Sequence, residues 1–454
     1  MNLSELKKRL GFGDVLTFKG GIHPNDMKDS TCKKPIIELE APKTLVFPMQ
    51  QHIGAPAVPT VKVGDRVLMG QLIGEAGGFV SANIHSSVSG TVTAVEPRLH
   101  PSGREVLSVV VENDGEDEPC GAIKPRNAES LSAKEIVDIV REAGIVGMGG
   151  AAFPTHVKLS PPKDKKIEYV IVNGAECEPY LTSDHRAMLE TGDEVVEGLK
   201  LTMKVFGLKT GYIAIETNKP DAIEHMSKLA ERETGLEIKV VKVKTKYPQG
   251  SEKHLIKAVT GREVPPGKLP MDVGAVVDNI DTCAAIARAV LSGTPLMRRI
   301  VTVGGDCVAN RSNFRVRIGT DFEYILEKCG YTENAAKIIM GGPMMGLAVP
   351  DTAVPVIKGT SGILAFGAEA AKPRREGACL RCGRCVEGCP MNLLPNVLLD
   401  AVKRGDNEKL EKLNISDCIS CGSCTYVCPA EQNPLQYIKT GKERLSRIAQ
   451  EVKK

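Results

Sequence analysis

Two cysteine runs near the carboxyl end constrain the fold of this chain more than any other feature. The first reads CLRCGRCVEGCP and begins at Cys379, and the second reads CISCGSCTYVCP and begins at Cys418. Both follow the spacing C-x2-C-x2-C-x3-C-P, in which three thiolates occupy three corners of a [4Fe–4S] cube. The fourth corner is taken by the last cysteine of the other run. The sequence therefore predicts two [4Fe–4S] clusters.

The interleaved spacing also predicts which cysteines belong together. Cluster 1 is assigned to Cys379, Cys382, Cys385 and Cys428, and cluster 2 to Cys389, Cys418, Cys421 and Cys424. A pair of four-cysteine zinc sites is the alternative, but zinc sites usually combine two C-x2-C pairs without this proline pattern. The residues between the runs predict two short helices. We therefore expect a helical dicluster ferredoxin domain over 370–440, used for one-electron transfer.

Length, charge and the distribution of apolar residues limit which classes of protein this chain can belong to. A chain of 454 residues is too long for one ordinary core, so we expect about three to five domains. The net charge of +3 gives no support for a nucleic-acid partner. The first residues lack the apolar core of a signal peptide, and no apolar run approaches the roughly 18 residues of a membrane span. The sequence therefore predicts a soluble protein, or one held at a membrane by a partner, whose clustered cysteines bind metal.

Residues 44–115 predict a β module that follows an N-terminal segment, 1–43. The stretches PTVKVGDRVLMGQLIGE and SANIHSSVSGTVTAVEP resemble the two halves of a barrel-sandwich hybrid of the biotinyl/lipoyl type. A carrier domain of that type needs a lysine at its hairpin tip, and no lysine occurs from Val63 to Ile123. We therefore expect a structural or docking module without an attached cofactor.

Strands and helices alternate over residues 130–293. Buried-type strands are predicted near 167–176, 210–217 and 236–247, with amphipathic helices between them and a strand-to-helix unit over 274–293. Such alternation indicates a parallel sheet whose ligands lie beyond the carboxyl ends of its strands. Residues 296–366 then predict a small β-grasp module, and 441–454 a helical tail. The fold class is therefore multidomain α/β, with a Rossmann-like α/β domain at its centre.

The stretch GMGGAAFPTHVK, which begins at Gly147, has the small-residue spacing of a dinucleotide-binding fingerprint. That fingerprint should follow a strand and open a helix. Here a helix is predicted immediately before it, over 132–144, so the match to a conventional NAD loop is coincidental. The stretch needs another explanation.

A family resemblance supplies that explanation. GMGGAAFPTHVK, VNGAECEP, YPQGSEKHLI and VDNIDTCAA resemble, in order and spacing, the FMN- and NADH-binding subunit of respiratory complex I. With the barrel-sandwich module, the β-grasp module, the stretch KGGIHPNDMK and the double cysteine run, nearly the whole chain resembles the family of Rnf complex C subunits. Rnf is a bacterial and archaeal membrane assembly that couples electron exchange between ferredoxin and NAD to translocation of Na⁺ or H⁺.

The resemblance implies non-covalent FMN with NAD(H) stacked on it. Gly147, Gly149 and Gly150 would present backbone N–H groups to ligand phosphate or ring edges, where a side chain would block the approach. Lys158 would place its charge on the FMN phosphate. Phe153 would pack near the nicotinamide nucleotide.

The resemblance assigns further residues in three later stretches. Asn173 would hydrogen-bond the flavin, while Glu176 and Glu178 would face the flavin–nicotinamide region. The NAD side would be lined by Gly250, Ser251 and Glu252. The flavin phosphate and ribityl chain would be enclosed by Asn279, Asp281 and Thr282.

Two departures from the complex I pattern keep alternatives open. Ala175 and Ser251 stand where that pattern has acidic residues. One alternative is therefore an electron-wire subunit with a vestigial NAD site. A second is a flavin and iron–sulfur cobalamin reductase of bacterial microcompartments, which shares the same modules. No side chain is assigned as a catalytic acid or base, because flavin itself accepts the hydride.

The resemblance also implies partners and a location. The partners would be other Rnf subunits, especially the ferredoxin-like B subunit and the integral membrane subunits, with ferredoxin acting indirectly. The chain would lie peripherally on the cytoplasmic side of the cell membrane. Ion translocation would belong to the other subunits.

Overall fold

A computed structural model describes residues 15–332 and 334–451 of the chain. Within that part, the strands form four sheets, and the helices lie against two of these sheets or form the carboxyl-terminal domain. No described helix is long and apolar enough to cross a membrane.

The amino-terminal β module is built from two small antiparallel sheets. Its strands are β2 (Thr44–Pro48), β3 (Val58–Pro59), β4 (Arg66–Val67), β5 (Leu72–Glu75), β6 (Ile84–His85), β7 (Gly90–Leu99) and β8 (Glu105–Asn113). One sheet has the order β2-β8-β7-β4 and the other β3-β5-β6. Alternate residues such as Leu45, Phe47, Val109 and Val111 are fully buried, because one face of each strand packs inward.

The central α/β region carries a four-stranded parallel sheet. Its strands are β9 (Tyr169–Gly174), β10 (Thr210–Glu216), β11 (Glu237–Val243) and β12 (Ala275–Asn279). The sheet order is β11-β10-β9-β12, so the direction of strand addition reverses between β9 and β12. The helices are α1 (Ala133–Glu142), α2 (Thr155–Lys158), α3 (Ser183–Glu190), α4 (Gly192–Phe206), α5 (Pro220–Glu231), α6 (Glu252–Thr260) and α7 (Ile280–Ser292).

Local sequence signals set the ends of several of these helices. Ser132 and Glu135 form a reciprocal capping box that starts α1. The side chain of Asn279 accepts from the backbone of Asp281 and starts α7. Gly207 and Gly261 end α4 and α6 in the left-handed conformation that glycine adopts without strain.

A six-stranded mixed sheet follows. Its strands are β1 (Ile37–Glu38), β13 (Arg298–Gly304), β14 (Ser312–Arg317), β15 (Lys337–Met340), β16 (Leu347–Ala348) and β17 (Gly362–Phe366), in the order β1-β14-β13-β17-β15-β16. Helix α8 (Phe322–Lys328) packs on it through Phe322, Ile325 and Leu326. Sequence reasoning missed three strands of this sheet: the edge strands β1 and β16, and the fully buried β17 at the centre.

The carboxyl-terminal region is a pair of similar helical halves. The elements are α9 (Arg384–Glu387), α10 (Pro395–Arg404), α11 (Asn407–Lys412), α12 (Ser423–Tyr426) and α13 (Pro434–Glu451). In both cysteine runs a left-handed glycine, Gly383 or Gly422, precedes the short helix, and Pro395 or Pro434 begins the long one. The backbone thus turns tightly at the same place in each run, as a cluster-wrapping loop requires.

The N-terminal segment connects the central region to this helical pair. Leu16 pairs with Val243 at the edge of the parallel sheet, and Ile22 pairs with Tyr247. A side chain on Gly20 would come within 3.0 Å of the carbonyl oxygen of Cys389. The segment therefore runs between the strand ends of the parallel sheet and Cys389, the last cysteine of the first run.

Candidate functional site

Asn173 and Asn279 define the centre of the candidate site. They are register partners at the carboxyl ends of β9 and β12, where the strand order reverses. The Asn173 amide donates to the carbonyl of Gly250 (2.8 Å), and the Asn279 amide donates to the carboxylate of Asp184 (2.7 Å). In open α/β sheets, ligands bind beyond such a reversal.

The glycine loop lies beside this strand edge. Met148 donates its backbone N–H to the hydroxyl of Thr282 (2.9 Å), and Gly147 donates to the carbonyl of Phe153 (2.8 Å). A side chain on Gly149 would meet Asn279 at 3.1 Å, whereas Gly150 is exposed and a Cβ there would meet nothing within 4 Å. The loop therefore approaches the strand edge closely and leaves its backbone open to a ligand.

Buried charges anchor the loop from below. Asp281 is 4% exposed and pairs with Arg299, whose guanidinium also donates to the carbonyl of Met148 (3.3 Å). Arg288 contacts the same carboxylate at 3.2 Å. Thr282 therefore holds the glycine loop directly at Met148, and Asp281 holds it indirectly through Arg299. Phe153, at the end of the loop, is half-buried.

Lys158 ends the short helix α2 and points toward the same strand edge. Its ammonium donates to the carboxylate of Glu252 (3.0 Å) and to the carbonyl of Val277 (2.7 Å). Burial disfavours the charged form, but the carboxylates of Glu252 and Asp278 outweigh it and raise the pKa of Lys158. The ammonium is therefore kept charged inside the site, with Glu252 as its direct partner.

Two buried polar side chains at the site have no hydrogen-bond partner among the described residues. Both carboxylate oxygens of Asp278 and both amide atoms of Gln249 are in this state, with exposures of 2% and 0%. Burial raises the pKa of the Asp278 carboxyl group. Unsatisfied buried polar atoms are costly and rare, and they are typical of a site that a polar ligand completes. FMN, with its hydroxyls, phosphate and ring amides, fits such a site.

The two acids of the loop after β9 contact backbone groups of the protein. Glu176 adopts a left-handed conformation and accepts from the backbone of Asp184 (2.7 Å) at the start of α3. Glu178 accepts from the backbone of Met344 (3.0 Å) and Met345 (2.9 Å). Burial raises the pKa of Glu178 to about 7, although these two donors oppose the shift. Glu178 thus joins the loop to the six-stranded sheet region.

Lys28 shapes this loop and was not assigned a role from the sequence. It is 5% exposed, and its ammonium donates to the carbonyls of Glu176 (3.0 Å), Glu178 (2.9 Å) and Leu181. Burial lowers its pKa. Only its place at the end of KGGIHPNDMK pointed toward this residue, because a lysine that caps carbonyls leaves no periodic signal.

The YPQGSE stretch connects the candidate flavin site to the cysteine groups. Gly250 donates its N–H to the sulfur of Cys177 (3.3 Å), and the hydroxyl of Ser251 bonds to His254 (2.9 Å). The other ring nitrogen of His254 bonds to the carbonyl of Pro390 (2.9 Å), directly after Cys389. The start of α6 therefore lies against the first cysteine run.

Cysteines assigned to cluster 2 line one common cavity. Its walls also include Ile419, Leu435 and Ile438, so the cavity is apolar apart from the thiols. Burial, followed by the charges of Cys421, Cys418 and Cys389, raises the pKa of Cys424 to about 12. The four thiols are therefore close enough to interact, and an apolar cavity lined by four sulfurs fits an iron–sulfur cube.

Cysteines assigned to cluster 1 lie nearer the surface. Cys379 and Cys382 are exposed, while Cys385 and Cys428 are half-buried. Burial raises the pKa of Cys385, and the charges of Cys379 and Cys428 add to the shift. Among the described residues, no three His, Cys, Asp or Glu side chains converge closely enough to hold a single metal ion. The two ligand sets assigned from the sequence remain predictions.

Tyr247 joins the two kinds of site. It is 1% exposed, and its hydroxyl donates to the carbonyl of Cys421 (2.7 Å). Ile22, Tyr247 and Cys421 form a small buried cluster with Cys177 and Met344 packed against it. Sequence reasoning missed Tyr247, although it opens the stretch YPQGSEKHLI.

Comparison with known proteins agrees with this division. Residues 16–116 match the RnfC barrel sandwich hybrid domain, 140–288 the Nuo51 FMN-binding domain, 300–348 the SLBB domain and 378–432 the 4Fe-4S dicluster domain. The chain is 48% identical to the C subunit of the proton-translocating ferredoxin:NAD(+) oxidoreductase complex of Clostridium ljungdahlii, over 93% of both chains. The chain belongs to the family of Rnf C subunits.

Other Rnf C subunits match comparably. The chain is 48% identical to the C subunit of the Na(+)-translocating ferredoxin:NAD(+) oxidoreductase complex of Acetobacterium woodii, over 94% of this chain and 97% of that one. Identity to the C subunit of the ion-translocating oxidoreductase complex of Rhodobacter capsulatus is 44%, over 88% and 77%. Membership in the Rnf C family confirms the resemblance proposed from the sequence.

The matched domains also confirm the cofactors FMN and two [4Fe–4S] clusters, so the zinc alternative is wrong. Among solved structures, a chain of an NAD+-reducing [NiFe]-hydrogenase in the H2-reduced state is similar, with a TM-score of 0.50 and 18% identity. The superposition covers 69% of this chain and 61% of that chain. At that identity the likeness concerns the fold alone.

Proposed function

We propose that this chain is the NAD-linked end of an Rnf complex, where electrons pass between NAD(H) and iron–sulfur clusters served by ferredoxin. The observation that carries the proposal is the bond from Tyr247 to Cys421, since it places the candidate flavin loops against the cluster 2 cysteines. In the assembly, the exchange would be coupled to Na⁺ or H⁺ translocation by other subunits.

The chemistry of the proposal rests on the cofactors. Bound FMN exchanges hydride with nicotinamide and single electrons with clusters, so it converts between two-electron and one-electron transfer. The protein's own residues bind and orient. Gly149 and Gly150 would offer backbone N–H groups, whereas the Gly147 N–H is already donated to the carbonyl of Phe153. Asn173 and Asn279 would hydrogen-bond the flavin from adjacent strand ends.

Lys158 would stay charged through Glu252 and Asp278 and would face the FMN phosphate. The ion pair between Lys158 and Glu252 also suggests how FMN binding could affect the NAD side of the site. A phosphate that approached Lys158 would have to compete with a carboxylate 3.0 Å away. We propose that flavin binding exchanges these partners, which would release Glu252 toward the NAD side beside Gly250 and Ser251. Asp281 and Thr282, predicted to enclose the flavin phosphate and ribityl chain, would instead fix the glycine loop.

Glu176 and Glu178 would shape the flavin–nicotinamide region through the loop that they stabilise. Glu176 starts α3, and Glu178 binds the backbone at Met344 and Met345. Phe153 would pack near the nicotinamide nucleotide from the end of the glycine loop. Ala175 is fully buried and has no polar side-chain atom. The polar contacts of the flavin would therefore come from Asn173 and Gln249 instead.

The finer architecture and the partners are also proposals. The sheet order β11-β10-β9-β12 supports a Rossmann-like domain over 130–293, and the strand–helix arrangement around α8 supports a β-grasp module over 296–366. The boundaries 44–115 and 370–440 remain proposals as well. Partners would be the ferredoxin-like B subunit and the membrane subunits, with the chain peripheral on the cytoplasmic side.

One anaerobic experiment tests the function. The full chain, with FMN and both clusters loaded, is mixed with NADH while flavin absorbance and cluster electron paramagnetic resonance are followed. Bleaching of the flavin together with a reduced-cluster signal supports the proposal. An unbleached flavin would leave the electron-wire alternative, with a vestigial NAD site, in its place.

A further inference from the structure

The two cysteine groups differ in what surrounds them. Three of the four cluster 2 cysteines are buried, with exposures of 9% for Cys389 and 7% for Cys421 and Cys424, and Cys418 is half-buried. Cluster 1 cysteines include the exposed Cys379 and Cys382. If electrons enter from the flavin site through cluster 2, the cluster 1 face is where they leave the chain.

A run of cations includes and precedes the exposed cluster 1 cysteines in the sequence. Between residues 372 and 384 the sequence KPRREGACLRCGR holds five cationic side chains and one acidic one. All of them are exposed. We call this set of five cations, with the exposed Leu380 between the thiols, the cluster 1 rim. The five are Lys372, Arg374, Arg375, Arg381 and Arg384.

Four of the five rim cations have no ion-pair partner among the described residues, and Lys372 lies 3.7 Å from the carboxylate of Glu369. Within residues 15–332 and 334–451, none of the four arginines forms an ion pair, whereas many other surface cations do. The rim's acid, Glu376, already contacts Lys403 (3.8 Å) and Tyr437 (3.4 Å). Arg374 donates to the carbonyl of Thr425 (2.7 Å), which holds the first part of the rim beside the second cysteine run.

Two exposed apolar side chains adjoin these cations along the chain or through the contact of Arg374 with Thr425. Leu380 is 67% exposed between Cys379 and Cys382, and Tyr426 on the second run is 43% exposed. Small, weakly apolar contacts ringed by complementary charge are typical of transient redox encounters, which bury less than about 1,200 Å². We infer that the cluster 1 rim docks an acidic one-electron carrier protein or domain, and that this carrier exchanges electrons with the cluster held by Cys379, Cys382, Cys385 and Cys428.

The inference rests on the proposed function, because it takes cluster 1 as the exit of the same electron route. Its test measures binding as well as electron transfer. The full chain with both clusters and FMN is immobilised anaerobically. An acidic two-[4Fe–4S] ferredoxin is the probe, with the basic one-electron carrier cytochrome c as the opposite-charge control.

The test variant carries Arg375→Glu and Arg384→Glu, and the matched control carries Lys43→Glu and Lys228→Glu on other surfaces. Iron content and the cluster spectra check that the clusters stay intact. We expect ferredoxin to bind the wild type and the control alike, with affinity falling as salt is raised, because the screening length is only about 10 Å in 0.1 M salt. The rim variant should associate about tenfold more slowly or worse.

Three outcomes would overturn the inference. Equal ferredoxin binding by rim variant and control is one, and tighter binding of cytochrome c than of ferredoxin by the wild type is another. The third is a rim variant that loses binding to vesicles of phosphatidylcholine and phosphatidylglycerol but keeps ferredoxin, which would make the rim a membrane contact. NADH-driven cluster reduction in the same preparations separates the cases. If it persists without docking, only the inference fails, and if it is absent while docking persists, only the proposed function fails.

Discussion

The hydroxyl of Tyr247 donates a 2.7 Å hydrogen bond to the carbonyl oxygen of Cys421. Because Tyr247 opens the stretch that carries Gly250 and Glu252, one residue links the candidate flavin loops to the cluster 2 cysteines. Replacement by phenylalanine removes this bond, together with the contact between the hydroxyl and Glu178, and keeps the aromatic ring. Without the donor, the partial negative charge of the Cys421 carbonyl oxygen would be less compensated beside a predicted cluster ligand, which favours the oxidised state.

We therefore expect Tyr247→Phe to lower the reduction potential of cluster 2 and to leave cluster 1 unchanged, at a stability cost of about 1 kcal/mol. Potentiometric titration with electron paramagnetic resonance measures both potentials. Tyr426→Phe, on the exposed second run, is the control and should move neither. A shift of cluster 1 alone would show that the flavin loops meet the other cluster.

Lys158 offers a second prediction, on flavin retention. Lys158→Glu places a third acid beside Glu252 and Asp278, and Lys158→Met removes the charge with less repulsion. Both should lose bound FMN, with an increase in the dissociation constant of about tenfold or more for a buried charge partner. Bound flavin per protein is read from absorbance after gel filtration, and iron content should be unchanged. The exposed neighbour Lys163→Met should keep its FMN.

Lys28 carries a prediction on the loop that follows β9. Its ammonium satisfies the carbonyls of Glu176, Glu178 and Leu181. Lys28→Met would leave three buried acceptors without a donor, at about 3 kcal/mol or more. We expect a lower melting temperature and loss of FMN, since the loop borders Asn173. Lys33→Met, exposed in the same segment, should behave like the wild type. Unchanged flavin content in Lys28→Met would show that the loop does not contribute to the site.

Ligand assignment of the clusters makes a further prediction. If the runs interleave, Cys428→Ser removes a ligand of cluster 1 although it lies in the second run. The spectrum of Cys428→Ser should then show the loss or change of the same cluster signal as the spectrum of Cys379→Ser. The spectrum of Cys389→Ser should likewise resemble that of Cys418→Ser. Mössbauer and electron paramagnetic resonance spectra of the four variants test the pairing. Cys120→Ser, distant from both runs in sequence, should be silent. Matching of Cys428→Ser with Cys418→Ser would mean that each run holds its own cluster.

Local sequence signals predicted much of this fold, and long-range contacts account for what they missed. The spacing of the cysteines predicted their grouping, which stays a prediction, and periodicity predicted the four parallel strands together with the helices between them. It also placed Asn173 and Asn279 at strand ends, where their register pairing follows from sheet geometry. Strand β17 and the role of Lys28 arise from partners distant in sequence, so no local pattern announces them. The pairing of Lys158 with Glu252 is of the same kind.

Glu178 predicts a pH-dependent stability. Its pKa lies near 7 in the folded chain against an ordinary value of 4.5, because burial disfavours the carboxylate. Between these values the folded state keeps a proton that the unfolded state has released. Its stabilising contribution is therefore full below about pH 4.5 and is lost as pH rises through 7.

Glu178→Gln removes this titration but keeps an acceptor oxygen for only one of the two N–H groups, because Met344 and Met345 donate to different carboxylate oxygens. We expect the variant to melt above the wild type at pH 8, where the wild type must bury a charge, and to lose that advantage at pH 5. The difference should change by at most about 1.4 kcal/mol per pH unit. Melting curves at intervals from pH 5 to pH 8 measure it, with the exposed Glu387→Gln as control. A pH-independent difference would show that Glu178 stays ionised throughout, and the contact between the β9 loop and the Met344 turn would then rest on a buried carboxylate held by its two N–H donors.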